Sequence, residues 1–378
     1  MATSTATVNA ASSSGQGQNE SVALSQDTST TASAAAAAQD GTPDADDADS
    51  GQGSQPDGEF WFEDGNLILI TRDVEFRVYK GPLVASSPVF NDLLSLPQTA
   101  TKPSGQSPAS KCTCGSTTAL LHVEDSPEDL RHLLRALMPG KTPRVGPGAN
   151  SFHAISACIR LGRKYGIVCV VERSLEYLKS YFLHHFNRRS RTHFTSPPAF
   201  EDIHSIGVVN LARMTETSVL LPPALMACCR LSATELMNGF AREDGTREVL
   251  SDEDIGRCYM GRAALTEATV LFLLQVCDQT RSSRCKRPSD CKPVFARLLN
   301  DVKNFEGKHD IKNHRWYYYF RKFIEKGDVD RRLCWPCWDK LQKRQKQIHH
   351  DTWQKLPELM GLSIEGWAEE SSKESSET

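Results

Sequence analysis

The spacing of apolar and polar residues divides this chain of 378 residues into segments with different periods. Leu67 to Thr71 is a short continuous apolar run, and in EFRVYK at 75–80 apolar and polar side chains alternate. Turn-forming residues stand before the first segment, in EDGN, and between the two segments, in RD. Short apolar runs bounded by turns are typical of strands, so the two segments predict a β-hairpin.

Beyond the hairpin the apolar positions change to the helical period. GPLVASSPVFNDLLSL predicts two short helices, ALLHVED a strand, and DSPEDLRHLLRALM a helix with Ser126 as its N-cap and Pro127 in its first turn. SFHAISACIRLGRKYGI and VVERSLEYLKSYFLHHF predict a helix pair joined at Gly166. The architecture predicted up to residue 187 is therefore α+β, a small sheet capped by helices.

From residue 197 onward the apolar patterns have helical spacing only. The segments that carry it are AFEDIHSIGVVNLARMT, LPPALMACCRLSATELMNGF, SDEDIGRCYMGRAALTEATVLFLLQVCD, CKPVFARLLNDVK, HRWYYYFRKFIEKG and CWDKLQKRQKQIHHDTWQKLPELM. The sequence predicts an all-α C-terminal domain.

Composition changes this picture at the two ends of the chain. Residues 1–57 contain eight Asp or Glu, no Lys or Arg and almost no large apolar side chain. Such a segment cannot bury enough apolar surface to offset the entropy lost on ordering, so we predict a disordered acidic tail. The acidic residues of 365–378 predict a second one. The expected domain boundaries are then 58–187 for the α+β domain and 188–364 for the all-α domain.

The twelve cysteines are scattered through the chain and do not form the spacing pattern of a disulfide framework. The opening MATSTATVNA lacks the basic and apolar regions of a signal peptide, and no apolar run approaches the roughly 20 residues that span a bilayer. We therefore expect an intracellular protein, in the cytoplasm or nucleus, with reduced thiols and no membrane partner.

Two close cysteine pairs carry the main candidate chemistry. Cys334 and Cys337 bracket Trp-Pro in RRLCWPCWDK, and Cys285 and Cys291 lie in SSRCKRPSDCKP. A redox C-x-P-C site needs a central strand before its first cysteine, whereas EKGDVDRRL is polar and charged, which disfavours redox chemistry. The two pairs together match the four soft ligands of structural zinc. Unpaired, partly buried thiols remain the alternative. Histidines that could substitute as ligands are His309, His314, His349 and His350.

Residues 281–350 hold 19 Lys and Arg against 8 Asp and Glu, with aromatic residues between them. Base stacking and phosphate neutralisation could use such a region. However, Trp316, Phe320 and Phe323 fall at i, i+4 and i+7, which predicts a buried helical face, so nucleic acid is the disfavoured partner.

The chain has no P-loop, G-x-S-x-G or H-E-x-x-H motif. His122-Val123-Glu124 matches the H-x-E of zinc deaminases, but His122 lies in a predicted strand and the second motif of those enzymes is missing. We expect a protein that is not an enzyme.

FRVYKGPLVASSPVFNDLLSL resembles the signature of BTB/POZ domains, a strand with the pattern F-x-V-h/y-K followed by L-x-x-x-S-x-x-F on the next helices. VEDSPEDLRHLLRALM is similar to the strand and helix that follow in these domains, and the resemblance covers Glu59 to about Phe186. FWFEDGN and the helix LPPALMACC also resemble a class of BTB-containing proteins abundant in mushroom-type fungi, which comes with no defined biochemical activity. The matching positions of the signature are Phe76, Val78, Tyr79, Lys80, Leu83, Ser87 and Phe90.

The resemblance implies a protein–protein interaction module that homodimerises, and in some members one that presents helices to a cullin scaffold. Asp64 and Arg77 match the acidic and basic residues of the charged dimer-interface pocket; alternatively, both are exposed hairpin residues. The ending ALMPG and the long loop at 97–118 depart from the cullin-binding pattern. Two functions follow: an adaptor that dimerises and links a partner to a cullin-type ubiquitin ligase, or a zinc-stabilised, nucleic-acid-associated regulator using the basic C-terminal region.

Overall fold

The computed structural model describes residues 54–95, 118–138, 151–183, 199–304 and 332–367. These residues form a mixed α+β structure that is mostly helical and has a small sheet towards its amino end. The predictions made for the loop at 97–118 up to residue 117, for the segment HRWYYYFRKFIEKG, for His309 and for the boundary at 187/188 lie outside the described residues.

The sheet has four strands in the order β1-β3-β2-β4. β2 and β3 form the predicted antiparallel hairpin, in which Leu67 pairs with Val78, while β1 runs parallel to β3 and β4 runs parallel to β2. Alternate positions of β2, including Leu67 and Leu69, are fully buried, as the pleat of a strand with one covered face requires. The strands are β1 (Gln55–Trp61), β2 (Leu67–Thr71), β3 (Val74–Val78) and β4 (Ala119–His122).

β1 begins at Gln55, inside the segment 1–57 for which the sequence predicted disorder. Asp57 is 5% exposed, and its carboxylate accepts hydrogen bonds from the backbone N–H of Phe60 at 2.9 Å and from Nε of Arg131 at 2.6 Å. Burial opposes ionisation, but these donors outweigh it and lower the pKa of Asp57. The prediction of disorder is therefore wrong for residues 55–57, because Asp57 is a buried ion-pair partner, while residues 1–53 lie outside the described part of the chain.

Helices cover the sheet, and their ends follow the caps that the sequence predicted. Ser126 accepts the backbone N–H of Asp129 at 3.1 Å, and Gly166 adopts a φ of +68°, which lets the chain turn sharply between two helices. The helices of this half are α1 (Lys80–Ser86), α2 (Pro88–Ser95), α3 (Pro127–Leu137), α4 (Phe152–Lys164) and α5 (Val168–Phe182).

Ser87 ties the two short helices to this helix pair. Its buried hydroxyl donates to the carbonyl oxygen of Tyr165 at 2.5 Å and accepts the backbone N–H of Phe90 at 3.0 Å. The ring of Phe90 stacks on that of Tyr165 with centroids 4.2 Å apart. Ser87 and Phe90, two of the positions that resemble the BTB/POZ signature, thus have a direct packing role.

The C-terminal half is built from helices, but it is not all-α as predicted. β5 and β6 form a small antiparallel hairpin, and the predicted single helix LPPALMACCRLSATELMNGF divides into α7 and α8. It divides at Ser232, which with Glu235 forms a capping box that starts a new helix. The elements are α6 (Ser205–Met214), α7 (Leu221–Cys228), α8 (Ala233–Asn238), β5 (Phe240–Ala241), β6 (Arg247–Glu248), α9 (Asp252–Val276), α10 (Pro288–Asn304), α11 (Trp335–Gln354) and α12 (Leu356–Leu359), with 3₁₀ turns at Asp202–His204 and Ser218–Leu220.

None of the described helices, including the 25 residues of α9, combines the length and the apolar character needed to cross a membrane.

Ion pairs attach the β5–β6 hairpin to the N-terminal half. Arg242 pairs with Asp129 of α3, and Glu248 accepts from Arg160 of α4 at 2.6 Å. Since the hairpin strands have only two residues each, these contacts and the buried ring of Phe240 stabilise a hairpin that is too short to be stable alone.

α4 contributes to two hydrophobic cores. Cys158, Leu161 and Tyr165 at its C-terminal end pack with the sheet and α3, whereas Phe152 and Ile159 pack with α6 and α7. The helix is therefore buried on two of its sides, and the two halves of the protein share it.

The aromatic residues around Phe152 mark the centre of the second core. The ring of Phe152 stacks on His204 at 4.8 Å and meets Phe200 and Phe240 edge-on at 5.6 and 5.5 Å. Burial, together with the neighbouring His153, lowers the pKa of His204 to about 4, so its imidazole is neutral at pH 7.

The C-terminal end of the helical half extends further than predicted. Trp367 lies in the segment 365–378 that the sequence assigned to an acidic tail, yet it is buried and packs on Trp353 with ring centroids 5.3 Å apart. Its indole N–H donates to the carbonyl oxygen of Trp353 at 3.1 Å. The buried indole ring and its hydrogen-bonded N–H keep Trp367 in the core, although the residues around it in the sequence are polar.

Replacing Gly239 with alanine should destabilise the protein by about 2–3 kcal/mol, measured by urea unfolding. Gly239 has a φ of +61°, and a Cβ there would lie 1.8 Å from the backbone oxygen of Glu248. Gly256 in α9 is the control: a Cβ there meets nothing within 4 Å, and its replacement by alanine should stabilise by about 1 kcal/mol. Equal midpoints for Gly239→Ala and the wild type would contradict the close approach of these two backbones.

Candidate metal centre

The four cysteines singled out in the sequence lie together. The sulfur atoms of Cys285, Cys291, Cys334 and Cys337 are all within 4.8 Å of one another. Cys285 belongs to the loop between α9 and α10, Cys291 to the first turn of α10, and the other two to the start of α11. This cluster, called the cysteine cluster below, joins parts of the chain more than 40 residues apart.

Two helix starts position the cysteine cluster. Pro288 opens α10 and Pro336 lies in the first turn of α11, where a fixed φ and the missing N–H suit a helix N-terminus. Cys334 is the N-cap of α11. Because helix N-termini carry partial positive charge, both favour thiolate sulfur at this point.

Side chains of α11 hold the loop that carries Cys285. Arg344 donates to the carbonyl oxygen of Asp278 at 2.9 Å and to the hydroxyl of Thr280 at 2.6 Å. Lys340 donates to the carbonyl oxygen of Arg281 at 3.0 Å. These bonds hold the loop against α11 and so place Cys285 beside Cys334.

The spacing of the sulfurs suits a tetrahedral metal ion. The sulfurs of Cys285 and Cys334 are 3.8 Å apart, and all four cysteines are free thiols. Zinc–thiolate bonds of about 2.3 Å place the sulfurs of a tetrahedral site about 3.8 Å from one another, whereas a disulfide would need about 2.05 Å. The four residues therefore could hold a metal ion such as zinc.

The pKa shifts of the clustered thiols differ in direction. Burial raises the pKa of Cys291, and it raises that of Cys337 to about 12. Burial also opposes ionisation of Cys334, but backbone N–H groups of Lys286 and Cys337 donate to its sulfur, and its pKa falls to about 6. Metal binding at such a site displaces the protons of the other thiols.

The surroundings of the cysteine cluster are apolar. Three of the four cysteines are buried and only Cys285 is half-buried. They belong to a hydrophobic cluster whose other buried members are Phe272, Val276, Cys277, Val294, Phe295, Leu298, Val302, Leu333 and Leu341. A closed site with four protein ligands is typical of structural metal, since catalytic zinc keeps one position open for water or substrate.

The two alternative ligands that lie within the described residues do not join the cluster. His349 and His350 lie on α11 more than ten residues after Cys337, about 18 Å along the helix axis. His314, like His309, and the polar segment before Cys334 up to residue 331 lie outside the described residues. The candidate ligand set is therefore four sulfurs.

Asp64 and Arg77, the predicted pocket residues, engage different partners within the monomer. The carboxylate of Asp64 is exposed and accepts the hydroxyl of Tyr79 at 2.7 Å. Nε of Arg77 donates to the carbonyl oxygen of Gly65 at 3.1 Å, and the side chain is half-buried. Arg77 lies on β3, an inner strand of the sheet, and Asp64 lies in the turn before β2.

A second group of thiols was not predicted from the sequence. Cys228, Cys229 and Cys258 are buried where α7 meets α9, and the thiol of Cys228 donates to the hydroxyl of Ser205 at 3.3 Å. Burial raises the pKa of Cys228 well above its usual value. These thiols act as small apolar side chains that fill the core between packed helices. The Cys-Cys pair of LPPALMACC is the feature of the sequence that could have indicated this buried group.

Comparison of the chain with protein-family models, with curated proteins and with solved structures gives no match. The candidate metal centre therefore rests on the geometry of its four sulfurs and their donors.

Proposed function

We propose that this protein is a protein–protein interaction adaptor that homodimerises through its N-terminal α+β half, and that structural zinc holds part of its helical half together. The observation that carries the proposal is the order of the N-terminal elements: after β1 come the β2–β3 hairpin, two short helices, a strand parallel to β2, a helix and a helix pair. The resemblance to BTB/POZ domains implies the same order from the hairpin onward, and it implies protein binding.

The buried charges of the described residues support a structural role over a catalytic one. Asp57, Asp125, Glu248 and Asp254 are buried carboxylates, and each pairs with an Arg or Lys side chain. Buried carboxylates in catalysis are usually held ready for substrate, whereas these four join elements of the fold. We propose that the protein is not an enzyme.

The dimer is tested by light scattering after size-exclusion chromatography of the full chain. We expect a mass of twice the 41.9 kDa of the monomer. Replacing both Asp64 and Arg77 with alanine should weaken the dimer roughly thirtyfold, since removing a charged partner at an interface costs about 2 kcal/mol or more. Asp92→Ala on the exposed side of α2 is the control and should leave the dimer intact. A wild-type mass equal to the monomer contradicts the proposal.

The second part of the proposal concerns the partner. The helical half binds it, and the dimer presents it to a cullin-type ubiquitin ligase. Pull-down of purified cullins by the full chain tests this step separately from the dimer. Dimerisation without cullin capture would leave an adaptor that is not part of a ligase.

A further inference from the structure

The segment that carries Cys285 and Cys291, which comprises the loop before α10 and the start of that helix, is strongly basic. Its twelve residues from Arg281 to Lys292 contain five cations and one carboxylate, Asp290. The five cationic side chains are all exposed, and together they are called the basic face below. They are Arg281, Arg284, Lys286, Arg287 and Lys292. A surface of this charge attracts an anionic partner over about 8 Å at physiological ionic strength.

An exposed tryptophan lies beside the basic face. Trp335 is 74% exposed, whereas Trp353 and Trp367 are buried in the second core. It directly follows Cys334, whose sulfur lies 3.8 Å from that of Cys285, so the tryptophan and the loop are adjacent. Pro336 and the start of α11 restrict the backbone on its other side. An indole held on a rigid backbone and left in solvent is suited to stacking against a flat partner.

We propose that Trp335 and the basic face bind single-stranded nucleic acid. The indole stacks on a base, and the guanidinium and ammonium groups neutralise the neighbouring phosphates. The combination favours nucleic acid over an acidic peptide, because carboxylates alone would use the cations but leave the aromatic face without a role. The arginines of the basic face suit the same ligand. A guanidinium group binds a phosphate bidentately, while the indole of Trp335 stacks on the neighbouring base.

This binding is independent of the proposed dimerisation, which uses the N-terminal half. It also differs from the expectation that nucleic acid is a disfavoured partner, which rested on the helical spacing of Trp316, Phe320 and Phe323. Those three residues lie outside the described part of the chain, and Trp335 does not belong to their pattern.

The cysteine cluster places the two parts of this surface together. Cys285 and Cys291 belong to the basic segment 281–292, and Cys334 precedes the tryptophan. A shared metal ion would fix the loop against the start of α11. Binding of nucleic acid should therefore depend on the intact cluster, although no nucleic-acid contact passes through the metal.

The test measures fluorescence anisotropy of a labelled oligothymidylate of about 20 nucleotides with the full chain, from about 50 to about 200 mM salt. Trp335→Ala should weaken binding roughly 5- to 100-fold and leave the salt dependence unchanged, because it removes stacking and no charge. Arg284→Gln and Lys286→Gln should each lower the slope of log affinity against log salt by about 0.7.

Two matched controls accompany these variants. Tyr259→Ala removes an aromatic side chain that is 75% exposed near the far end of α9, and Arg163→Gln removes an exposed cation of α4. Neither should change the affinity or the salt dependence. Polyglutamate of similar length serves as the competing anion and should not displace the oligonucleotide at equal charge concentration.

Failure to bind the oligonucleotide at about 50 mM salt overturns the proposal. An affinity that Trp335→Ala leaves unchanged overturns it as well, since binding would then be charge attraction alone. Tight binding of polyglutamate with no oligonucleotide preference assigns the surface to an acidic protein segment instead. Each result can be read whether or not the protein dimerises, so it is separate from the test of the proposed function.

Discussion

Cys337→Ser should abolish stoichiometric zinc binding and unfold the region around α10 and α11. The buried sulfur of Cys337 is one of four candidate ligands, and a tetrahedral site with three sulfurs and a hydroxyl binds zinc far more weakly. Structural zinc contributes roughly 10–16 kcal/mol of apparent binding energy in zinc-finger peptides, so we expect a loss above about 4 kcal/mol here. Metal content of the purified protein and limited proteolysis of the helical half measure the two effects.

Cys277→Ser is the matched control for this experiment. Cys277 is buried in the same hydrophobic cluster and undergoes the same chemical change, but it is not among the four clustered sulfurs. It should keep one equivalent of metal and lose only a small amount of stability. A wild-type protein without metal, or equal protease sensitivity of the two variants, would instead indicate four free thiols that pack without an ion.

Phe152→Ala should destabilise the whole protein by about 3–5 kcal/mol, the usual cost of removing a buried phenyl ring. The ring is fully buried among Phe200, His204 and Phe240, and Gly207 of α6 leaves the space for it: a Cβ on Gly207 would lie 2.1 Å from the ring. Because α4 belongs to both hydrophobic cores, we expect the two halves to lose stability together.

Thermal unfolding followed at two sites tests this coupling. Fluorescence of Trp61 in β1 reports on the N-terminal half and that of Trp367 on the helical half, each in a variant in which the other tryptophans are replaced by phenylalanine. Phe62→Ala, at a half-buried ring stacked on Tyr79, is the control and should cost about 1 kcal/mol. Separate transitions, with only the helical half affected by Phe152→Ala, would contradict a shared helix.

Local signals in the sequence were sufficient for the elements of the N-terminal half from β2 to α5, whereas β1 was not predicted. The alternation in EFRVYK identified β3, Ser126 and Pro127 marked the start of α3, and Gly166 marked the turn between α4 and α5. Each of these signals acts through neighbouring residues, so it can be recognised without knowledge of the tertiary structure.

The cysteine cluster could be predicted for a different reason. Short spacing within each pair keeps two sulfurs near each other in any fold, and two such pairs in one region suggest a common ion. The sequence could not show that Cys334 becomes an N-cap or that Arg344 anchors the loop, because both depend on the packing of α11 against the end of α9.

Features that depend on contacts distant in the sequence were missed. The β5–β6 hairpin has an Asp-Gly turn, which is a known signal, but strands of two residues show no period, and the ion pair of Arg242 with Asp129 spans 113 positions. Trp367 is a single aromatic residue in a polar segment, and only its contact with Trp353 reveals that it is buried.

The cysteine cluster has a consequence for how the chain can be divided. Cys285 and Cys291 come before residue 305, and Cys334 and Cys337 come after residue 331, so a chain cut between these positions keeps only two of the four candidate ligands on each side. Two cysteines fill only half of a tetrahedral site. A fragment that ends between the two pairs should therefore lose the ion, and a shortened protein keeps its ligands together only when both pairs are retained.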